Sequence, residues 1–146
     1  MPSIVLLLVT LALGAGQSAA PPTAPMQARL SPVPTDLAMQ ETIAGLGAAT
    51  ATLAGTTLTV DGTYHGLKSG ATAVRVFESA KPGLRGPLVG EFTSGGGTRG
   101  TFKGTVTLTR EQAAAYAKGL LYVQLHSEKA PDGNLWGWLM AAKGRR

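Results

Sequence analysis

The chain contains no cysteine, only two histidines, 5% aromatic residues and 14% charged residues. Each scarcity excludes something. Without cysteine there is no disulfide, no thiolate metal ligand, no thiol nucleophile and no cysteine for a lipid anchor. Two histidines, His65 and His126, cannot build a multi-histidine metal site within one chain. The charged fraction lies well under the roughly 25% of ordinary soluble domains. What the chain does have is 20 glycines among its 146 residues and a formal net charge of +5. That length suits one domain with a short extension.

Part of the apolar content is concentrated at the N-terminus. Residues Ile4 to Leu13 form an apolar run, followed by Ser18-Ala19-Ala20 and a Pro-Pro pair. A short apolar stretch that ends in small residues is the pattern of a secretory signal peptide. It falls short of the roughly 20 apolar residues that a membrane-spanning helix needs. The sequence therefore predicts a signal peptide over residues 1–20, cleaved after Ala20 or, as an alternative, after Ala19, and no membrane span after cleavage. Residues 21–34 are proline-rich, with an edge strand expected at Gln27–Leu30. A β domain is expected over 35–142 and a basic tail over 143–146.

From Gly45 onward the pattern is one of short alternating segments. Ala49, Ala51 and Leu53 share a face, as do Leu58, Val60 and Tyr64, and Val74 and Val76. Phe102, Val106 and Leu108 repeat the pattern, then Leu121, Val123 and Leu125, then Leu135 and Leu139. The opposite faces are rich in threonine, which suits a pleated surface. Period-two alternation with frequent turn signals predicts an all-β, antiparallel sandwich or barrel. One helix interrupts it near 110–118. Thr109 and Gln112 form a capping box, alanines fill the body and Gly119 stops it. Pro131-Asp132-Gly133-Asn134 reads as the turn of the final hairpin.

Few residues suggest chemistry. Gly95-Gly96-Gly97 is not followed by the lysine and serine or threonine of a phosphate-binding loop. No G-x-S-x-G elbow exists, and the carboxylates are scattered, so no catalytic residue is assigned. No basic cluster interleaved with aromatics points to nucleic acid. The final hairpin is the most informative surface. With a loop at 128–133, His126 is expected opposite Trp136, Gln124 opposite Trp138 and Tyr122 opposite Met140. Trp136, Trp138, Tyr122, Gln124 and His126 then share an outer face and form the candidate ligand or partner patch. A one-residue slip in register would reverse the faces.

Several stretches together resemble the chordin-domain (CHRD) family. They are Ala48 to Leu53, Leu58 to Leu67, Pro82-Gly-Leu-Arg-Gly-Pro-Leu-Val89, Leu121 to Ser127 and Pro131 to Leu139. Arg29-Leu-Ser-Pro-Val-Pro34 resembles the family's opening strand. The resemblance covers roughly residues 27–140. It implies an extracytoplasmic Greek-key β-sandwich of immunoglobulin-like or Cu/Zn superoxide dismutase-like build. Two departures stand out. The family's Ala-His-Ile-His stretch corresponds to Ala73-Val74-Arg75-Val76, without either histidine. The family's Gly-Glu-Ile-Arg-Gly-Gln-Leu ending is replaced by Gly133-Asn134-Leu135-Trp136-Gly137-Trp138-Leu139. His126 alone is no site for copper or zinc, which take three or four ligands.

The expectation is a secreted or periplasmic, non-enzymatic binding or structural module with no cofactor and no metal. Its partner would be a protein or another envelope component, and self-association through the final hairpin is compatible with that. A metal-binding or redox-linked envelope protein of superoxide dismutase-like build is the alternative.

Overall fold

Residues whose side chains alternate between apolar and polar fold as strands, and the computed structural model, which describes residues 25–141, places nine of them. The expected signal peptide and basic tail lie outside the described residues. The strands are β1 (Met26–Pro32), β2 (Leu46–Ala54), β3 (Thr57–His65), β4 (Ala71–Glu78) and β5 (Leu88–Phe92). They continue with β6 (Gly100–Thr107), β7 (Leu121–Ser127), β8 (Ala130–Trp138) and the short β9 (Met140–Ala141). Among the described residues one α-helix, α1 (Arg110–Ala117), joins β6 to β7, and a turn of 3₁₀ helix covers Met39–Glu41. None of these helices is long and apolar enough to cross a membrane.

Hydrogen bonding links the strands in the order β5-β4-β7-β8-β1-β2-β3-β6. All pairings are antiparallel. β1 is the joint between two layers. Its residues Met26–Leu30 pair with β2, while Ser31 and Pro32 pair with β8. The front layer is β1-β2-β3-β6 and the back layer is β8-β7-β4-β5. β3 neighbours β6 rather than β4, because the β4–β5 hairpin crosses to the back layer before the chain returns. That is a Greek-key path, and the all-β class expected from the alternation is the one observed. β2 and β3 pair within one sheet from Leu46↔His65 to Ala54↔Thr57. An immunoglobulin-like sandwich divides the corresponding hairpin between its two sheets, so this is not that arrangement.

Two expectations are corrected. The strand at Gln27–Leu30 is not an edge, because it has β2 on one side and β8 and β9 on the other. Met26, Ala28 and Leu30 point into the core, which draws the strand into the middle of the order. The final hairpin does not turn at Pro131–Asn134. Ser127 pairs with Ala130, so Glu128 and Lys129 form the turn, and the Pro-Asp-Gly-Asn stretch lies within β8.

The inward faces are those the alternation indicates. Leu30, Leu58, Val60, Val74, Val76, Leu121, Val123, Leu125, Leu135 and Leu139 are all completely buried. Each such side chain contributes about 1.5–3 kcal/mol relative to an exposed one. α1 covers one end of this core. Thr109 accepts from the Gln112 amide at 3.2 Å, and the Gln112 side chain accepts from the Thr109 amide at 2.9 Å. Tyr116 is fully buried and donates its hydroxyl to the Ala51 carbonyl at 3.2 Å, pinning the helix to β2. Burial pushes its pKa above the ordinary phenol value.

The seam between β5 and β6 closes by side chains more than by hydrogen bonds. A Cβ on Gly104 would fall 2.3 Å from the Phe92 ring, so glycine lets that side chain approach β6 closely. Gly90 does the same for Val106. One bridge, Ser94↔Phe102, completes the closure.

Candidate functional site

The outer face of the back layer carries the candidate patch. β4 sends out Arg75 and Phe77, β7 sends out Tyr122, Gln124 and His126, and β8 sends out Trp136 and Trp138. The register places Tyr122 opposite both Phe77 and Trp138, and Gln124 opposite both Arg75 and Trp136. The hairpin pairing is thus displaced by two residues from the expected one. A two-residue slip preserves the faces, so the five residues stay together.

Their exposure differs from expectation. Tyr122, Gln124 and His126 were expected on an outer face, and they are 1%, 1% and 3% exposed. Trp136 and Trp138 are half-buried. The cover comes mainly from the loop between β4 and β5. Within it, the Gly86 amide donates to the Tyr122 hydroxyl at 3.1 Å. The Trp138 indole donates to Ser79 Oγ at 2.9 Å, and that hydroxyl donates on to the Leu120 carbonyl. Arg85 lies over Trp136, with its guanidinium carbon 5.7 Å from the ring centroid, and donates from Nη1 to the Asp132 carbonyl at 3.3 Å. On the other side Trp136 packs against Val33, Ile43 and Ala130.

The result is an aromatic cluster outside the main core. Tyr122 lies 4.7 Å from Trp138 and 5.1 Å from Phe77 between centroids, and Trp136 meets Trp138 edge-on at 4.8 Å. Such pairs are each worth about 0.5–1.5 kcal/mol beyond area burial. Phe77, Ser79, Arg85 and Asp132 adjoin this cluster and are not among the residues the sequence assigns to the patch. Phe77 alternates with the core residue Val76, which was signal enough for an outward position. Nothing local signals that the Arg85 loop folds back.

Polar groups lie under this cover. Gln124 donates from Nε2 to the Asp132 carbonyl at 2.8 Å. His126 Nδ1 lies 2.8 Å from the Pro131 carbonyl, so the neutral ring donates there. Gln124 Oε1 and His126 Nε2 are buried with no hydrogen-bond partner among the described residues. Burial is the main influence holding the His126 pKa below its ordinary value, and the Arg75 and Arg85 charges act in the same direction. Gly133, at φ 129°, lets β8 bend over this pair, since a Cβ there would fall 1.7 Å from Gln124 Nε2. Arg75 is ion-paired with Glu91 across β4 and β5.

The remaining residues of interest lie apart. His65 is exposed at the end of β3 in the front layer, whereas His126 lies in the back layer. Val74 and Val76, where the resembling family has histidines, point into the core. Among the described residues, no group of three or more histidine, cysteine, aspartate or glutamate side chains could hold a metal ion.

Comparison with known proteins agrees with this architecture. The family model described as the CHRD domain matches residues 23–139. No curated protein and no solved structure matches the chain. The matched region takes in every strand from β1 to β8, and on that ground the chain belongs to the CHRD domain family.

Proposed function

We propose that this CHRD domain is an exported, non-enzymatic module of the cell envelope or extracellular space that binds a partner through the aromatic face of its back layer. The observation that carries the reading is the placement of both tryptophans outside a core that is already closed. Trp136 and Trp138 are the chain's two tryptophans, and both stay half-buried on the outer face while the interior is filled mainly by aliphatic residues, together with Tyr64, Phe102 and Tyr116. Tryptophan and tyrosine with an adjacent arginine are the residue types enriched where proteins make contact. Export is supported by the Ile4–Leu13 run with the small residues after it.

The test is a crosslinking pull-down from the native envelope or culture fluid with wild type and with the Trp136→Ala/Trp138→Ala double variant. The reading expects specific partners that the folded double variant loses. An unchanged profile contradicts it. Sedimentation velocity at several concentrations reports whether the partner is a second copy. N-terminal sequencing of the protein recovered outside the cytoplasm should begin near Pro21, and retention of Met1 would count against export.

A further inference from the structure

The two groups that contact the Arg85 guanidinium are a hydrogen-bond acceptor and a π face. The Asp132 carbonyl and the Trp136 ring already hold its guanidinium. Gln124 shares the Asp132 carbonyl with Arg85 and His126 bonds the adjacent Pro131 carbonyl, and Gln124 Oε1 and His126 Nε2 are buried acceptors without partners among the described residues. Their acceptor character follows from their bonds. Gln124 uses its amide nitrogen on the Asp132 carbonyl, which leaves the oxygen free. The neutral His126 ring donates through Nδ1 to the Pro131 carbonyl, which leaves a lone pair on Nε2. Buried acceptors without donors are uncommon and call for a bound donor. Acceptors beside aromatic faces suit a flat, donor-rich cation and repel an anion.

Arg85 fills that role loosely. The residue is exposed, its hydrogen bond is long at 3.3 Å, and it reaches neither buried acceptor with a hydrogen bond. It is carried on a loop that has Gly83 at φ 89° beside it. The other nearby guanidinium, Arg75, is committed to Glu91.

We propose that Arg85 is an internal placeholder, and that the site beneath it binds the guanidinium group of an external ligand when the Ser79–Pro87 loop lifts. The ligand is an arginine side chain of a partner or a free guanidino compound. Exchanging one guanidinium for another keeps the local charge unchanged and gives the two buried acceptors their donors. The inference rests on the contact-surface reading above and specifies what that surface recognises.

The chain's two tryptophans both line the site, so intrinsic emission reports on it directly. N-acetyl-arginine amide, its citrulline counterpart and an arginine-containing peptide are titrated into wild type, Arg85→Ala and Arg85→Gln. The exposed position of Arg85 leaves the fold intact, which circular dichroism checks. With the placeholder removed, the arginine amide should give a saturable emission change at least tenfold lower in half-saturation than in wild type. Citrulline amide, of the same shape but uncharged, should give none. Tighter binding of the peptide than of the amide assigns the ligand to a partner chain, and equal binding assigns it to a small molecule. A non-saturating response in both Arg85 variants overturns the proposal, as does equal response to citrulline. If the arginine response fails while the double tryptophan variant still loses its pull-down partners, only the ligand assignment falls.

Discussion

The two outer faces of this barrel are built from the same alternation and end in opposite states. On the front layer, Thr52, Thr59 and Thr105 stand side by side across three strands, and Thr57 and Thr107 form the next row. Most of them are exposed. On the back layer, Phe77, Tyr122 and Trp138 form the equivalent row, and Tyr122 is buried. The connections make the difference. β2 and β3 are joined by Gly55 and Thr56 alone, too little chain to cover anything. The β4–β5 connection runs from Ser79 to Pro87 and folds back onto β7 and β8. A sheet face is thus solvent-facing or interior according to the loop that crosses it, and side-chain size follows that choice.

The largest expected contrast comes from truncating one residue on each face. Tyr122→Ala removes a buried ring and the acceptor for Gly86, and should cost about 3–5 kcal/mol. Thr105→Ala on the front layer should change stability by less than about 0.5 kcal/mol. Urea unfolding of both variants measures the difference, and similar losses would erase the distinction between the faces. Gly133→Ala is next. Its methyl group would collide with Gln124, at a backbone angle that favours glycine, so a loss of about 1–3 kcal/mol is expected. The part of that loss due to the collision should disappear in a Gln124→Ala background while the backbone part remains, which a double-mutant cycle resolves.

The pH response sharpens the comparison further. The folded pKa of His126 lies below the ordinary value of 6.5, so the unfolded chain binds its proton first as pH falls. Stability is then complete above about pH 6.5 and declines below it, towards the lower folded pKa. Urea unfolding at pH 7.5 and 5.5 should show this decline in wild type and a smaller one in His126→Gln. Equal declines would remove His126 as the cause. A smaller effect is expected for Trp138→Phe, which keeps an aromatic ring and loses the bond to Ser79, at about 1 kcal/mol by the same measurement.

The interior was legible in the sequence because alternation is a local property. Leu58 and Val60, or Leu121, Val123 and Leu125, announce their face through their immediate neighbours. The cap of α1 was legible for the same reason, with Thr109 and Gln112 three positions apart. The hairpin turn was not, because Glu128 and Lys129 carry no turn chemistry while Pro131-Asp132-Gly133 does. The glycine there serves the approach of Gln124 instead. The patch residues were legible as a group, since a two-residue slip leaves faces intact. Their burial was not, because it depends on pairs as distant as Ser79 and Trp138, separated by 59 positions.

The central claim is that the back face is an aromatic cluster under a loop, and acrylamide quenching of the two tryptophans tests it most directly. Wild type should quench far less than free tryptophan amide. Replacing Ser79–Pro87 with a short turn should raise quenching severalfold while the β-sheet circular dichroism signal persists. Wild-type quenching already equal to that of the free amide, unchanged by removal of the loop, would contradict the account.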